Sequence, residues 1–294
     1  MDTASLQAFL TVARLRSFSR AAPLLHLTQP AVSKRIAALE ASLGAVLFDR
    51  LAREVSLTEA GRALLPRALR IVEEMADCQR ALHNLTGRVD GSLRIGTSHH
   101  IGLHRLPAVL RSYTARYPEV RLDLTFLASE DALQAVRTGD LELGIVTLPP
   151  TAAPPLETTE VWEDSLVVVT SREHPLAAEA ELEPPRLERY PAILPDPGTY
   201  TRGLIDAALE QAGLTVHTAF TTNYLETIKM MVSVGLGWSV LPESMLGPEF
   251  VVHRLRGLRL RRHLGVVSHA GRTLSNAAQA MLRLLTSGAF MVPR

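Results

Sequence analysis

The residues best placed to do chemistry cluster between Ser17 and Leu43, in the run Leu27-Thr28-Gln29-Pro30-Ala31-Val32-Ser33-Lys34-Arg35-Ile36. Gln29 can pair bidentately with adenine, Ser33 can meet several base edges, and Lys34 can reach guanine or a phosphate. Such side chains act together only if one rigid element presents them. Val32, Ile36, Leu39 and Leu43 recur at steps of three and four, so they predict a helix with those residues facing inward. Thr28 is then its N-cap and Pro30 falls in its first turn, where a missing N–H is harmless. The outer face carries Pro30, Ser33, Lys34 and Ala37, with Gln29 at the tip, small enough to approach another surface closely. This is the build of the second helix of a helix-turn-helix, the one that lies in the major groove. An ordinary solvated helix is the alternative for this stretch taken alone.

The surrounding residues must hold that helix. Leu6, Phe9, Leu10 and Val12 predict a buttressing first helix over Ala4 to Arg14. Leu47 to Leu57 lacks a helical stripe and predicts two short strands around a basic tip, from which Arg50 and Arg53 would reach the phosphate backbone or minor groove. Thr58 caps a long helix in which Leu64, Ala68, Ile71, Met75, Cys78, Leu82 and Leu85 recur at alternating steps of four and three. A 3.5-residue period is that of a coiled-coil seam, so this helix reads as a dimerising linker.

Alanine, leucine and glycine fall into a denser pattern across this region. The order Ala21-Ala22, Leu27-Thr28-Gln29-Pro30-Ala31-Val32-Ser33, Ile36, Leu39-Glu40, Leu43-Gly44, Leu47-Phe48, Arg50, then Leu57-Thr58-Glu59-Ala60-Gly61 resembles the N-terminal signature of LysR-type transcriptional regulators. The resemblance implies an α/β protein with an N-terminal winged helix-turn-helix, a long linker helix and a bilobed, periplasmic-binding-protein-like effector domain. The implied divisions are a DNA-binding domain at 1–58, a linker helix at 59–86, a first lobe at 92–161 and 267–294, and a second lobe at 162–266. Gln29, Pro30 and Ser33 would contact bases, Lys34, Arg50 and Arg53 would mainly hold phosphates, and Arg35, Ser17 and Thr28 complete the DNA-binding set. The expected partners are double-stranded DNA with an inverted-repeat operator, RNA polymerase, a small-molecule effector that is often anionic, and further copies of the chain as a homodimer assembling to a homotetramer.

Composition agrees with this division. The chain has 294 residues, enough for more than one core, and a single cysteine, Cys78, which excludes an intramolecular disulfide and suits a reducing cytoplasm. No apolar run is long enough to span a bilayer and no secretory signal is evident, so the expected place is the cytoplasm, with no membrane partner. Seven basic against four acidic side chains give residues 1–58 a charge of +3, whereas the whole chain carries +1. A basic head on a mildly acidic body is the footprint of a nucleic-acid module joined to something else.

From Ser92 onward, strand-like stretches, among them Val120 to Phe126, Glu160–Glu163, Leu166–Thr170 and Ala192–Leu194, alternate with helix-like ones, which predicts βαβ units and a mostly parallel sheet in two subdomains. Ligands in such sheets bind off the C-terminal ends of strands. Two turns qualify: Gly96-Thr97-Ser98-His99-His100 and Gly198-Thr199-Tyr200-Thr201, each rich in hydroxyls and followed by a helix. Thr97, Ser98, His99, His100, Thr199, Tyr200 and Thr201 are thus candidate effector contacts, with Ser129, Thr147 and Tyr224 from neighbouring loops. For the histidines three readings stand: imidazoles that pair with an anionic ligand, a metal site using His100 and His104 with His99 nearby, or one packed and one solvated ring. The second lacks a cysteine or evident carboxylate partner, and no metal or other cofactor is expected. No G-x-S-x-G elbow, dinucleotide fingerprint or H-E-x-x-H motif occurs, and Ser98 beside His99 is not a triad, so no enzymatic activity is expected.

Overall fold

The computed structural model describes residues 1–49, 55–179, 182–255 and 260–288. The chain packs as two compact units, 1–86 and 87–294.

In the first unit, α1 (Thr3–Leu15), α2 (Phe18–Leu24) and α3 (Gln29–Leu43) precede a two-stranded antiparallel ribbon, β1 (Phe48–Asp49) and β2 (Ser56–Leu57), and the long α4 (Glu59–Asn84). All four helices start on a side-chain cap: Asp2, Ser17, Thr28 and Thr58 each accept from a backbone N–H three residues on. Each cap satisfies one of the donors that a helix start leaves open. Leu6, Phe9, Val12, Val32, Ile36, Leu39 and Phe48 form the core, with the Phe48 ring between those of Phe9 and Phe18. Leu43 does not join it. It is 40% exposed because the helix ends there, and Gly44 turns the chain left-handed at φ +65°. Glu40 on α3 accepts the N–H of Leu47 at 2.8 Å, which ties the helix to the ribbon. Gly61 explains its own place in the motif: a Cβ there would sit 2.2 Å from the Leu47 carbonyl oxygen.

In the second unit, β3 (Gly91–Thr97) pairs in parallel with β4 (Val120–Phe126) and β5 (Leu143–Thr147). Helices α5 (His99–His104), α6 (Leu106–Arg116) and α7 (Ser129–Thr138) lie between them in sequence. The long β6 (Leu156–Ser171) follows, then β7 (Ala192–Leu194), α8 (Tyr200–Gln211), β8 (Thr218–Thr221), α9 (Leu225–Ser233), β9 (Ser239–Pro242), β10 (Phe250–His253), β11 (Leu260–His269) and α10 (Asn276–Ser287).

The sheet is mixed rather than mostly parallel. Among its described strands only the β3–β4 and β3–β5 pairs are parallel, while β11 runs antiparallel to both β5 and β6, and β6 antiparallel to β9 and β10; β7 and β8 form a separate parallel pair. The reason is that the chain passes between lobes along single strands. The two segments expected around 160–163 and 166–170 are one 16-residue strand, β6, and β11 returns beside it. The first lobe's core joins β3, α6 and α10 through residues such as Ile95, Val109 and Met281, and the second lobe builds its own around Trp238, Leu194 and Ile205. The expected lobe boundaries fall within β6 and β11, where the register slips between Leu264 and Gly265. Gly265 is needed there, since a Cβ would lie 2.2 Å from the Thr159 carbonyl oxygen.

Candidate functional site

Two surfaces carry the candidate residues, one in each unit. On α3, Gln29, Pro30, Lys34 and Ala37 are exposed and Ser33 is half-buried, while Val32, Ile36 and Leu39 are buried beneath them. Gln29 donates from Nε2 to the Ser33 hydroxyl at 3.0 Å, so the tip of the helix is held in one arrangement before any partner arrives. The Ser17 and Thr28 hydroxyls serve as helix caps at 3.2 and 3.4 Å. Arg35 departs from the Lys34 face: it is half-buried and its charge acts on the carboxylate of Asp2 at the start of α1. Arg50 and Arg53 lie outside the described residues.

The linker stripe divides. Ala68 is buried and Leu64 packs in the core of the first unit, against α1, so these two are not free to form a seam. The cause is position, because the first turns of α4 complete the helix-turn-helix core. Beyond them Ile71, Met75, Cys78, Leu82 and Leu85 are exposed, although Leu85 stands just past the helix end.

In the second unit a cleft of about 340 Å³ opens between the lobes. Ser98, His99, His100, Ser129 and Thr147 line it from the first lobe, and Thr199, Thr201 and Tyr224 from the second. Two expected residues do not. Thr97 is fully buried and its hydroxyl donates to the Ile145 carbonyl at 2.8 Å. Tyr200 contributes its backbone N–H to the Glu130 carboxylate at 2.7 Å, a bond across the cleft, while its ring packs against the α7 core.

The three histidines take different partners, although the rings of His100 and His104 lie 5.0 Å apart. His99 is exposed, with its ring 5.2 Å from Phe126 and 4.7 Å from Tyr224 of the opposite lobe. His100 is buried and meets Asp164 at 3.3 Å, and His104 meets Glu226 across the cleft. Among the described residues no group of three or more His, Cys, Asp or Glu side chains is arranged to hold a metal ion.

The floor of the cleft was missed in sequence. Asp164 on β6 and Arg262 on β11 are register partners, both almost completely buried. Arg262 donates twice to Asp164, at 2.9 and 3.2 Å, and once to the Thr201 hydroxyl at 3.2 Å. Arg105 also donates to Asp164, so one carboxylate serves two guanidiniums and an imidazole. Burial alone would raise the Asp164 carboxyl, but the bonds and charges of His100, Arg262 and Arg105 overrule it and hold it well below the usual range. Burial, aided by the Arg262 charge, pushes the His100 imidazole down and keeps it neutral near pH 7. The missed signal is a period of two: Trp162-x-Asp164-x-Leu166 and Leu260-x-Arg262-x-Leu264 each place one charge on an apolar strand face.

Comparison with known proteins bears on both surfaces. Residues 3–62 match the family model of bacterial regulatory helix-turn-helix proteins of the lysR family, and residues 86–289 match the LysR substrate binding domain. The HTH-type transcriptional regulator CbbR of Rhodospirillum rubrum is 34% identical over 97% of this chain and 95% of its own length. An uncharacterized HTH-type transcriptional regulator of Azotobacter vinelandii, from an ibpB-leuC intergenic region, is 68% identical over 107 residues, covering 36% of this chain and 74% of that protein. In fold, the chain resembles a full-length OxyR variant from Pseudomonas aeruginosa (TM-score 0.72, 24% identity, 98% of this chain and 94% of that one). It also resembles CbnR complexed with its target DNA (TM-score 0.63, 22% identity, 98% and 100%).

Proposed function

The chain belongs to the LysR family of transcriptional regulators, and from that premise we propose which of its surfaces meets which partner. It is a DNA-binding regulator with an effector-binding domain and not an enzyme. Gln29, Pro30 and Ser33 read base edges in the major groove, and Lys34 holds a phosphate beside them. Arg50 and Arg53, with Arg35, Ser17 and Thr28 at the margins, add backbone contacts. Two chains pair through the exposed stripe Ile71, Met75, Cys78 and Leu82, so that two recognition helices meet an inverted repeat, with half-sites about one helical turn or a multiple apart. Such dimers assemble into a tetramer in the cytoplasm, and the effector, bound between the lobes, changes how the assembly presents DNA to RNA polymerase. An effector can do this only by favouring one arrangement over the other.

The observation that carries the reading is the two-sided build of α3, whose apolar side is fully buried while Gln29 and Lys34 stand free of the core. The test is binding of the purified chain to genomic duplex fragments across a salt series. Wild type binds with a steep salt dependence, and Lys34→Ala weakens all sequences alike, lowering the salt slope by about one. Salt-independent binding, or none at low salt, overturns the reading.

A further inference from the structure

The cleft between the lobes is electrically two-ended. Arg262 lines it, and behind it Arg262 and Arg105 share a single carboxylate, Asp164, so that this network keeps one positive charge in excess. A guanidinium has five N–H donors, and Arg262 uses three of them within the protein. The wall is the reverse. Asp196 and Glu130 both line the cleft. No described residue bonds the Asp196 carboxylate, and Glu130 already occupies the first N–H of α8, the place where a ligand's own acid group would gain most from that helix end.

His100 adds an independent observation. It lines the cleft, is 5% exposed, and leaves Nδ1 with no hydrogen-bond partner. Because Nε2 faces the Asp164 carboxylate, the neutral ring carries its proton on Nε2 and offers a bare lone pair at Nδ1. The acceptors left open on the cleft wall therefore call for donors: the carboxylate of Asp196 and the second oxygen of Glu130. A purely anionic ligand would supply none of them and would face two carboxylates.

Resting on the reading that the effector sits between the lobes, we infer that it is a small zwitterion of amino-acid size, with its acid group toward Arg262 and its ammonium toward Glu130 and Asp196. The volume fits such a molecule. The aromatic mouth of Phe126, His99 and Tyr224 suits whatever side chain it carries.

The experiment is titration of the full-length protein with the twenty common amino acids, followed by the best binder's N-acetyl and amide derivatives, with succinate and inorganic phosphate as anions lacking an ammonium. At least one free amino acid binds saturably. Removing either of its charges weakens it about tenfold or more, the scale of one lost charge-assisted hydrogen bond. Asp196→Asn, a substitution away from the buried floor, weakens it similarly. Failure of every amino acid to bind, or tighter binding of succinate or phosphate, overturns the assignment. If that anion binding is lost in Ser98→Ala and Thr199→Val, the cleft is still the effector site and only the ligand class is wrong. Amino-acid binding that ignores all three substitutions overturns both readings.

Discussion

The two units of this chain are held together by different kinds of interaction. In residues 1–86 each helix is capped by a side chain at its own start, and among the described residues the only buried polar side chain is Ser5. In residues 87–294 the helices α5, α6, α7 and α9 start without a side-chain cap. That unit instead buries Asp164, Arg262 and three histidines, and its strongest polar ties join residues 59 to 98 positions apart. A fold held by local signals needs little from the rest of the chain. One held by buried charge depends on every partner being present, because a lone buried ion is far more unfavourable than a pair.

The sharpest way to break this contrast is Asp164→Asn. It leaves Arg262, almost fully buried, without its counter-ion, and the loss of stability should be about 3–5 kcal/mol. Both tryptophans and all five tyrosines lie in residues 87–294, so intrinsic fluorescence reports that unit alone. The denaturant midpoint of Trp162 and Trp238 emission should fall steeply, while the helical signal retains a transition at the wild-type midpoint from residues 1–86. A joint fall of both signals, or a change within ±0.5 kcal/mol, would refute the idea that buried charge organises only the second unit.

The same contrast governs what could be read in advance. The recognition helix, its Thr28 cap, the ribbon and the long α4 were legible because each signal lies within a few residues of what it specifies. Even there, Leu64 and Ala68 were misplaced, since a periodic stripe does not say whether its cover comes from the same chain or another. In the second unit, β4 and β7 were placed to the residue, and the cleft lining was largely anticipated from hydroxyl-rich turns. The sheet's antiparallel half was not. It depends on β6 and β11, whose middle residues Glu160, Glu163 and Asp164 look like a break in a strand until the partner is known. Thr97 shows the converse: a hydroxyl at the end of a strand is equally suited to a ligand or to its neighbour's carbonyl.

Acid should separate the units more gently. Burial pushes the imidazoles of His100, His174 and His253 down. Their folded forms therefore refuse a proton that the unfolded chain accepts from about pH 6.5 downward. The stability associated with them is intact above that pH and is lost as pH falls below it. Asp164, held low in the fold, adds a second loss only below about pH 4, where an unfolded carboxylate begins to protonate. The fluorescence midpoint should thus decline between pH 7.5 and 5.5, with no matching decline in the first unit, which buries no histidine among its described residues. His100→Gln should flatten part of the slope. A flat fluorescence midpoint over that interval would mean that these rings accept protons in the folded state.

The smallest effect concerns one residue where the first unit's local order is imperfect. His26, in the turn between α2 and α3, has φ +52°, a left-handed conformation that suits glycine. An ordinary L-residue there sacrifices roughly 1–2 kcal/mol, and glycine would give back part of that through its freer unfolded chain. His26→Gly should therefore stabilise residues 1–86 by about 1 kcal/mol or less. The gain should appear in the helical signal and leave tryptophan emission unchanged. Destabilisation would show that the imidazole itself supports the turn, and that even the more locally built unit relies on a side chain whose role its neighbours do not reveal.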